Sequence, residues 1–135
     1  MVFLDSGYLV AYENADDQNH HRAREHWASL ARDPILVTTS YVLDEVLTFL
    51  NARRQHRKAV SIGDRLLDGS FAELIHVDED LLRRGFDLFR RRPDKRYSLT
   101  DCISFLVMRD HQIDTAYAFD DHFGQEGFTR VPQQI

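Results

Sequence analysis

The sequence is short of the residues that staple, break or span. Cysteine occurs once in 135 residues, at Cys102. A lone thiol excludes an internal disulfide, and its place in an apolar stretch marks a buried, inert side chain rather than a nucleophile. Prolines number three and glycines six. With no internal repeat, no low-complexity run and no linker composition, a single domain over residues 1–135 is expected. No apolar run approaches the length of a bilayer span, and the opening Met1-Val2-Phe3-Leu4-Asp5 has neither a basic leader region nor a cleavage pattern. No membrane association is expected, and the cytoplasm is the expected location. A cationic excess is also missing: 17 Lys and Arg stand against 22 Asp and Glu, for a net charge of −5. That balance excludes a protein that coats nucleic acid by bulk electrostatics, though not an enzyme that cuts it.

What the chain does have is an alternation of short buried runs and helical periods. At 43% hydrophobic and 29% charged residues it suits a soluble globular protein large enough to bury a sizeable core. Val2-Phe3-Leu4, Ile35 to Thr38, Glu73 to Val77 and Thr115 to Phe119 read as strands, with Phe128 to Val131 as a short edge strand. Helices are expected over Tyr8–Tyr12, Asn19–Arg32, from a Thr39 or Ser40 cap to Arg54, over Lys58–Leu67, Glu79–Arg91 after an Asp78 cap, and Ser98–His111. Pro34 is expected to stop the second of these, and Arg92-Pro93-Asp94 the fifth. Strands and helices at this spacing predict an α/β fold: a three-layer α/β/α sandwich with a mostly parallel central sheet.

Acidic residues stand where such a sheet collects ligands. Asp5 follows the first strand and Asp120-Asp121 the fourth, so right-handed crossovers bring their strand ends to one side. Asp101 lies in Ser98-Leu99-Thr100-Asp101, a capping-box pattern before an apolar run, and a first-turn carboxylate is held ionised as a ligand must be. Projected at 100° per residue, the third helix places Val42, Leu43, Val46, Leu47, Phe49 and Leu50 in one arc. Glu45 falls at its border and Asp44 towards solvent. For Asp5 an N-cap is the competing reading, and for Glu45 a boundary residue reaching water.

Several carboxylates in one cleft repel each other and retain protons unless a cation neutralises them. Oxygen donors without histidine or cysteine at ligand spacing select Mg²⁺ or Mn²⁺ over zinc, and His20, His21 and His26 read as surface residues. Such a centre suits attack by activated water on a phosphodiester, with one or two ions both open. Two basic clusters, Arg53-Arg54-Arg57-Lys58 and Arg90-Arg91-Arg92-Lys95-Arg96, read either as solvated helix ends or as phosphate contacts. The second lies just before Asp101, which makes Arg91, Arg92, Lys95 and Arg96 the candidate contacts to substrate phosphates, with Tyr97 available to stack on unpaired bases.

Four blocks give the chain a resemblance to a known family. Phe3-Leu4-Asp5-Ser6, Thr39 to Leu47, Ser98 to Phe105 and Phe119-Asp120-Asp121-His122-Phe123 with Gly127-Phe128 resemble, in order, the PIN-domain ribonucleases, and among them the VapC-type toxins of toxin–antitoxin pairs. The resemblance implies an Mg²⁺- or Mn²⁺-dependent endoribonuclease with Asp5, Glu45, Asp101 and Asp120 as its acidic set and Ser6 orienting groups beside the metal. Asp121 is the alternative fourth acid. It also implies an RNA substrate, a homodimer and a small antitoxin partner. The chain departs from the family pattern at Ala118, two residues before the fourth acid, where a hydroxyl is common. The other readings are a PIN nuclease of RNA processing and a binding module for RNA or protein with weak catalysis or none.

Overall fold

The computed structural model describes residues 1–133. Among these, five strands form one sheet: β1 (Val2–Leu4), β2 (Leu36–Thr39), β3 (Glu73–Ile75), β4 (Thr115–Tyr117) and β5 (Thr129–Val131). Their order in space is β3-β2-β1-β4-β5 and every pairing is parallel. The sheet is therefore wholly parallel, beyond the mostly parallel one expected.

The helices are α1 (Ser6–Glu13), α2 (His20–Ser29), α3 (Ser40–Ala52), α4 (His56–Leu67), α5 (Glu79–Arg90), α6 (Leu99–Asp110) and α7 (His122–Gln125). The chain steps outward from β1 through β2 to β3, then crosses back to β4 and β5. Right-handed connections put α1–α4 on one face and α5–α7 on the other. The packing agrees, since α1 lies against α2 and α3, α3 against α4, and α5 against α6.

Burial on both faces explains the unbroken apolar strands. All of β2 is buried, as are Phe3, Leu4 and Ala116. The one hydroxyl facing this interior from Thr38 donates to the Leu4 carbonyl at 2.8 Å, which stitches β2 to β1. Helix α6 is buried from Thr100 to Phe105 and again at Val107 and Met108. Gly85 lets α5 approach it closely: a Cβ there would lie 2.5 Å from Ile103 Cγ1. Cys102 is fully buried, and desolvation pushes its thiol up to about 11. No helix among the described residues is long and apolar enough to cross a membrane.

Element ends differ from the sequence pattern for local reasons. Helix α1 begins at Ser6, two residues early, because the chain turns directly off β1. Helix α2 ends at Ser29 rather than Arg32, where the Leu30 N–H closes on the Trp27 carbonyl, so Pro34 is not its stop. Helix α4 starts at His56 rather than Lys58. Strand β3 ends at Ile75, since the Val77 N–H donates to Ser40 Oγ instead of to a neighbouring strand. Helix α7, only four residues long, carried no readable period.

Candidate metal centre

The expected acids meet at the switch point of the sheet. β1 and β4 are neighbours whose connections leave in opposite directions, and the crevice at their carboxyl ends is where open parallel sheets bind ligands. Asp5 leaves β1 there, its backbone N–H donating to the Tyr117 carbonyl of β4 at 3.1 Å. It occupies the N-cap position of α1, yet its side chain makes no cap hydrogen bond. The capping reading of Asp5 is thus set aside. Its carboxylate is 3% exposed and has Asp120, Asp101 and Glu45 as its charged neighbours.

The other three arrive from separate elements. Asp101 is the third residue of α6 and completes a capping box: its N–H donates to Ser98 Oγ at 3.0 Å, and its Oδ2 accepts the Ser98 N–H at 2.9 Å. The cap and the cleft share one carboxylate. Glu45 sits half-buried on α3 and its Oε1 accepts the Ser6 hydroxyl at 2.8 Å, while Asp44 beside it faces solvent. Asp120 is half-buried after β4 and its Oδ1 accepts the His122 N–H at 3.0 Å. Asp121, with a side chain 72% exposed and 3.9 Å from Arg130 Nη2, turns away from the cluster.

Electrostatics mark the cluster as unbalanced. Among the described residues, no lysine or arginine forms an ion pair with Asp5, Glu45, Asp101 or Asp120. Burial, reinforced by Asp120, Asp101 and Glu45, raises the Asp5 carboxyl well above the usual range. Glu45 is raised by burial against the opposing pull of its Ser6 hydrogen bond, and Asp120 by burial and the Asp101 charge. Carboxylates that resist ionisation together are the donor set a hard divalent cation neutralises.

Three further side chains bear on the site. His122 Nδ1 lies 2.8 Å from Asp101 Oδ2. One potential ligand atom each from Asp101, Asp120 and His122 lies within 4.8 Å of the others. Histidine is therefore present at the site, contrary to the expectation of none; its place two residues past Asp120 was the available signal. Thr100, beside Asp101, is buried, and so is Ala118, which offers the site no hydroxyl. Tyr97 is 5% exposed, with its hydroxyl donating to Glu126 at 3.1 Å, so it is not available to stack on bases.

The second basic cluster is largely committed to the protein. Arg92 makes two 3.1 Å bonds to Glu126, whose side chain is 4% exposed and also takes Arg109. Arg92 is thereby corrected from an RNA contact to a structural partner. Arg90 and Arg91 pair with Asp87. Lys95 and Arg96 form no side-chain ion pair among the described residues. Of the histidines read as surface residues, His21 is exposed, but His20 and His26 are half-buried and bonded to the Ala11 carbonyl and the Tyr8 hydroxyl at 2.7 Å each.

The PIN domain family matches residues 2–128. The 23S rRNA-specific endonuclease VapC20 of Mycobacterium tuberculosis is 37% identical over 131 residues, 97% of this chain and 98% of that protein. The crystal structure of that Mycobacterium tuberculosis protein, described as a sarcin-ricin loop cleaving toxin, superposes with a TM-score of 0.86 at 35% identity, over 96% of this chain and 97% of that one. A toxin–antitoxin complex from Klebsiella pneumoniae shares the fold alone, with a TM-score of 0.69 at 16% identity over the full length of both chains.

Proposed function

Because the chain belongs to the PIN-domain family, we propose that it is a metal-dependent endoribonuclease, the toxin of a toxin–antitoxin pair, acting in the cytoplasm on a structured loop of ribosomal RNA. The observation that carries the reading is the convergence of Asp5, Glu45, Asp101 and Asp120, among the described residues without a lysine or arginine ion-paired to any of them. Asp5, Asp101 and Asp120 are the proposed ligands, through hard oxygen donors that fit Mg²⁺ or Mn²⁺. Held by Asp5, Asp101 and Asp120, such an ion would lower the pKa of water and neutralise charge developing on the scissile phosphate. Glu45, steadied by Ser6 at 2.8 Å, orients the attacking water and accepts its proton, a role that suits a carboxyl whose proton affinity burial has raised. Lys95 and Arg96 are the proposed contacts to RNA phosphates, which position the strand without reading its sequence.

The test is cleavage of ribosomal RNA by the purified protein in EDTA, Mg²⁺ and Mn²⁺, with Asp101→Asn as control. Cutting is expected with either ion and lost in EDTA and in the variant; undiminished cutting by folded Asp101→Asn protein refutes the assignment. The partners proposed are an antitoxin and a second copy of the chain. Helix α5 suits the second copy. Phe86 and Phe89 on it are 50% and 45% exposed, between Glu79-Asp80 at one end and Arg90-Arg91 at the other. Sedimentation velocity reads this, with Phe86→Glu expected to give monomers.

A further inference from the structure

His122 touches two of the proposed ligands in two different ways. Its ring Nδ1 lies 2.8 Å from Asp101 Oδ2, and its backbone N–H donates to Asp120 Oδ1 at 3.0 Å. An ionised carboxylate only accepts, so the Nδ1 proton lies in the bond to Asp101. Asp101 Oδ2 takes the Ser98 N–H as well. Among the described residues, Asp101 Oδ1 and Asp120 Oδ2 accept no hydrogen bond. Each carboxylate thus has one oxygen tied down and one left for the cleft.

The ring itself is held from behind. Tyr97 meets it edge-on, with ring centroids 5.3 Å apart and planes at 69°. The Tyr97 hydroxyl is in turn fixed by Glu126, a buried carboxylate gripped by Arg92 and Arg109. A chain of contacts therefore runs from a neutralised ion pair inside the protein to the two ligand carboxylates. From this we infer that His122 is a positioning residue of the metal centre: it sets the rotation of Asp101 and Asp120 and is not itself a ligand. The inference rests on the metal-centre reading above. Partners that orient metal-binding carboxylates contribute roughly 10- to 100-fold to metal affinity.

Mn²⁺ binding by the metal-free protein tests it, read from the electron paramagnetic resonance of the ion, with melting curves confirming the fold. His122→Ala and His122→Phe are expected to bind Mn²⁺ about tenfold or more weakly. His122→Phe keeps the ring against Tyr97 but has no donor, which separates orientation from packing. His122→Asn returns an N–H near the Nδ1 position and is expected to come within about threefold of wild type, against the full loss that would follow from removing a ligand. Wild-type affinity in the folded Phe variant, an Asn variant as weak as Phe, or nitrogen coupling from an imidazole in the wild-type Mn²⁺ spectrum each overturns the inference. Folded wild-type protein that binds no Mn²⁺ instead overturns the metal centre itself, and Asp101→Asn, expected not to bind, anchors that distinction.

Discussion

Two buried acidic sites differ in what surrounds them. Glu126, 4% exposed, has two arginines and a tyrosine hydroxyl turned on it, and those bonds lower its pKa despite burial. Asp5, 3% exposed, has three other acids as its charged neighbours, and its pKa is raised. The first is self-sufficient and the second is not. A buried charge balanced by the protein is structure; one surrounded by like charges costs stability, and a chain retains such an arrangement where something outside it supplies the opposite charge.

Substitution should separate the two sites. Asp5→Asn is expected to lower cleavage by about a thousandfold or more, as several kcal/mol of transition-state stabilisation would go with it. The same change should raise the melting temperature of the metal-free protein, since it removes a buried charge among like charges; thermal unfolding in EDTA reads the second effect. Glu126→Ala should do the reverse. It is expected to cost about 2 kcal/mol, less than the roughly 3–5 kcal/mol of a fully buried pair because Arg92 and Arg109, 32% and 42% exposed, regain water. Cleavage per folded molecule should stay within about tenfold, which denaturant melts and active-site titration measure together. An Asp5→Asn protein that is destabilised and still active would undo the comparison.

The pH dependence carries opposite signs at the two places. Asp5, Glu45 and Asp120 bind protons more tightly folded than unfolded, so the native state holds more protons as pH rises from about 4 through their raised values. The metal-free protein should lose stability across that window, and saturating Mn²⁺ should flatten the loss. Glu126 has a lowered pKa, so its contribution is full above its unfolded value and disappears as pH falls through the folded one. Urea melts between pH 3 and 8 with and without Mn²⁺ resolve the two arms. The smallest effect tests a place remote from either site. Arg54 takes φ 60° at the end of α3, where a side chain is strained, so Arg54→Gly should gain roughly 0.5–1 kcal/mol with cleavage unchanged.

Much of the cluster was legible because position carried it. An acid just past an unbroken apolar run lies at the carboxyl end of a buried strand wherever the sheet is parallel, and that alone places Asp5 and Asp120 on one edge. The Ser98–Asp101 spacing announced a helix start, and the structure has both bonds of that box. Glu45 was set apart from Asp44 by 100° of rotation, and the two differ in burial as that projection requires. What stayed hidden depends on partners far along the chain. Nothing near Arg92 shows that Glu126, 34 residues later, will claim it, and nothing in Tyr97 shows that its hydroxyl will be buried against the same acid. His122 was hidden for another reason: the turn that brings its N–H to Asp120 is local, but its ring reaches Asp101 on another helix.

The parallel pairing of β1 with β4 has a bearing on when the site comes into being. The two strands that bracket the crevice are at opposite ends of the chain, with Phe3 beside Ala116 and Leu4 beside Tyr117. A ribosome adding about 5–20 residues each second takes on the order of ten seconds between making Asp5 and making Asp120. Throughout that interval the nascent chain holds some of its acids and no crevice to gather them. A centre assembled across these two strands exists only once the segment carrying Asp120 has been made and has paired with β1.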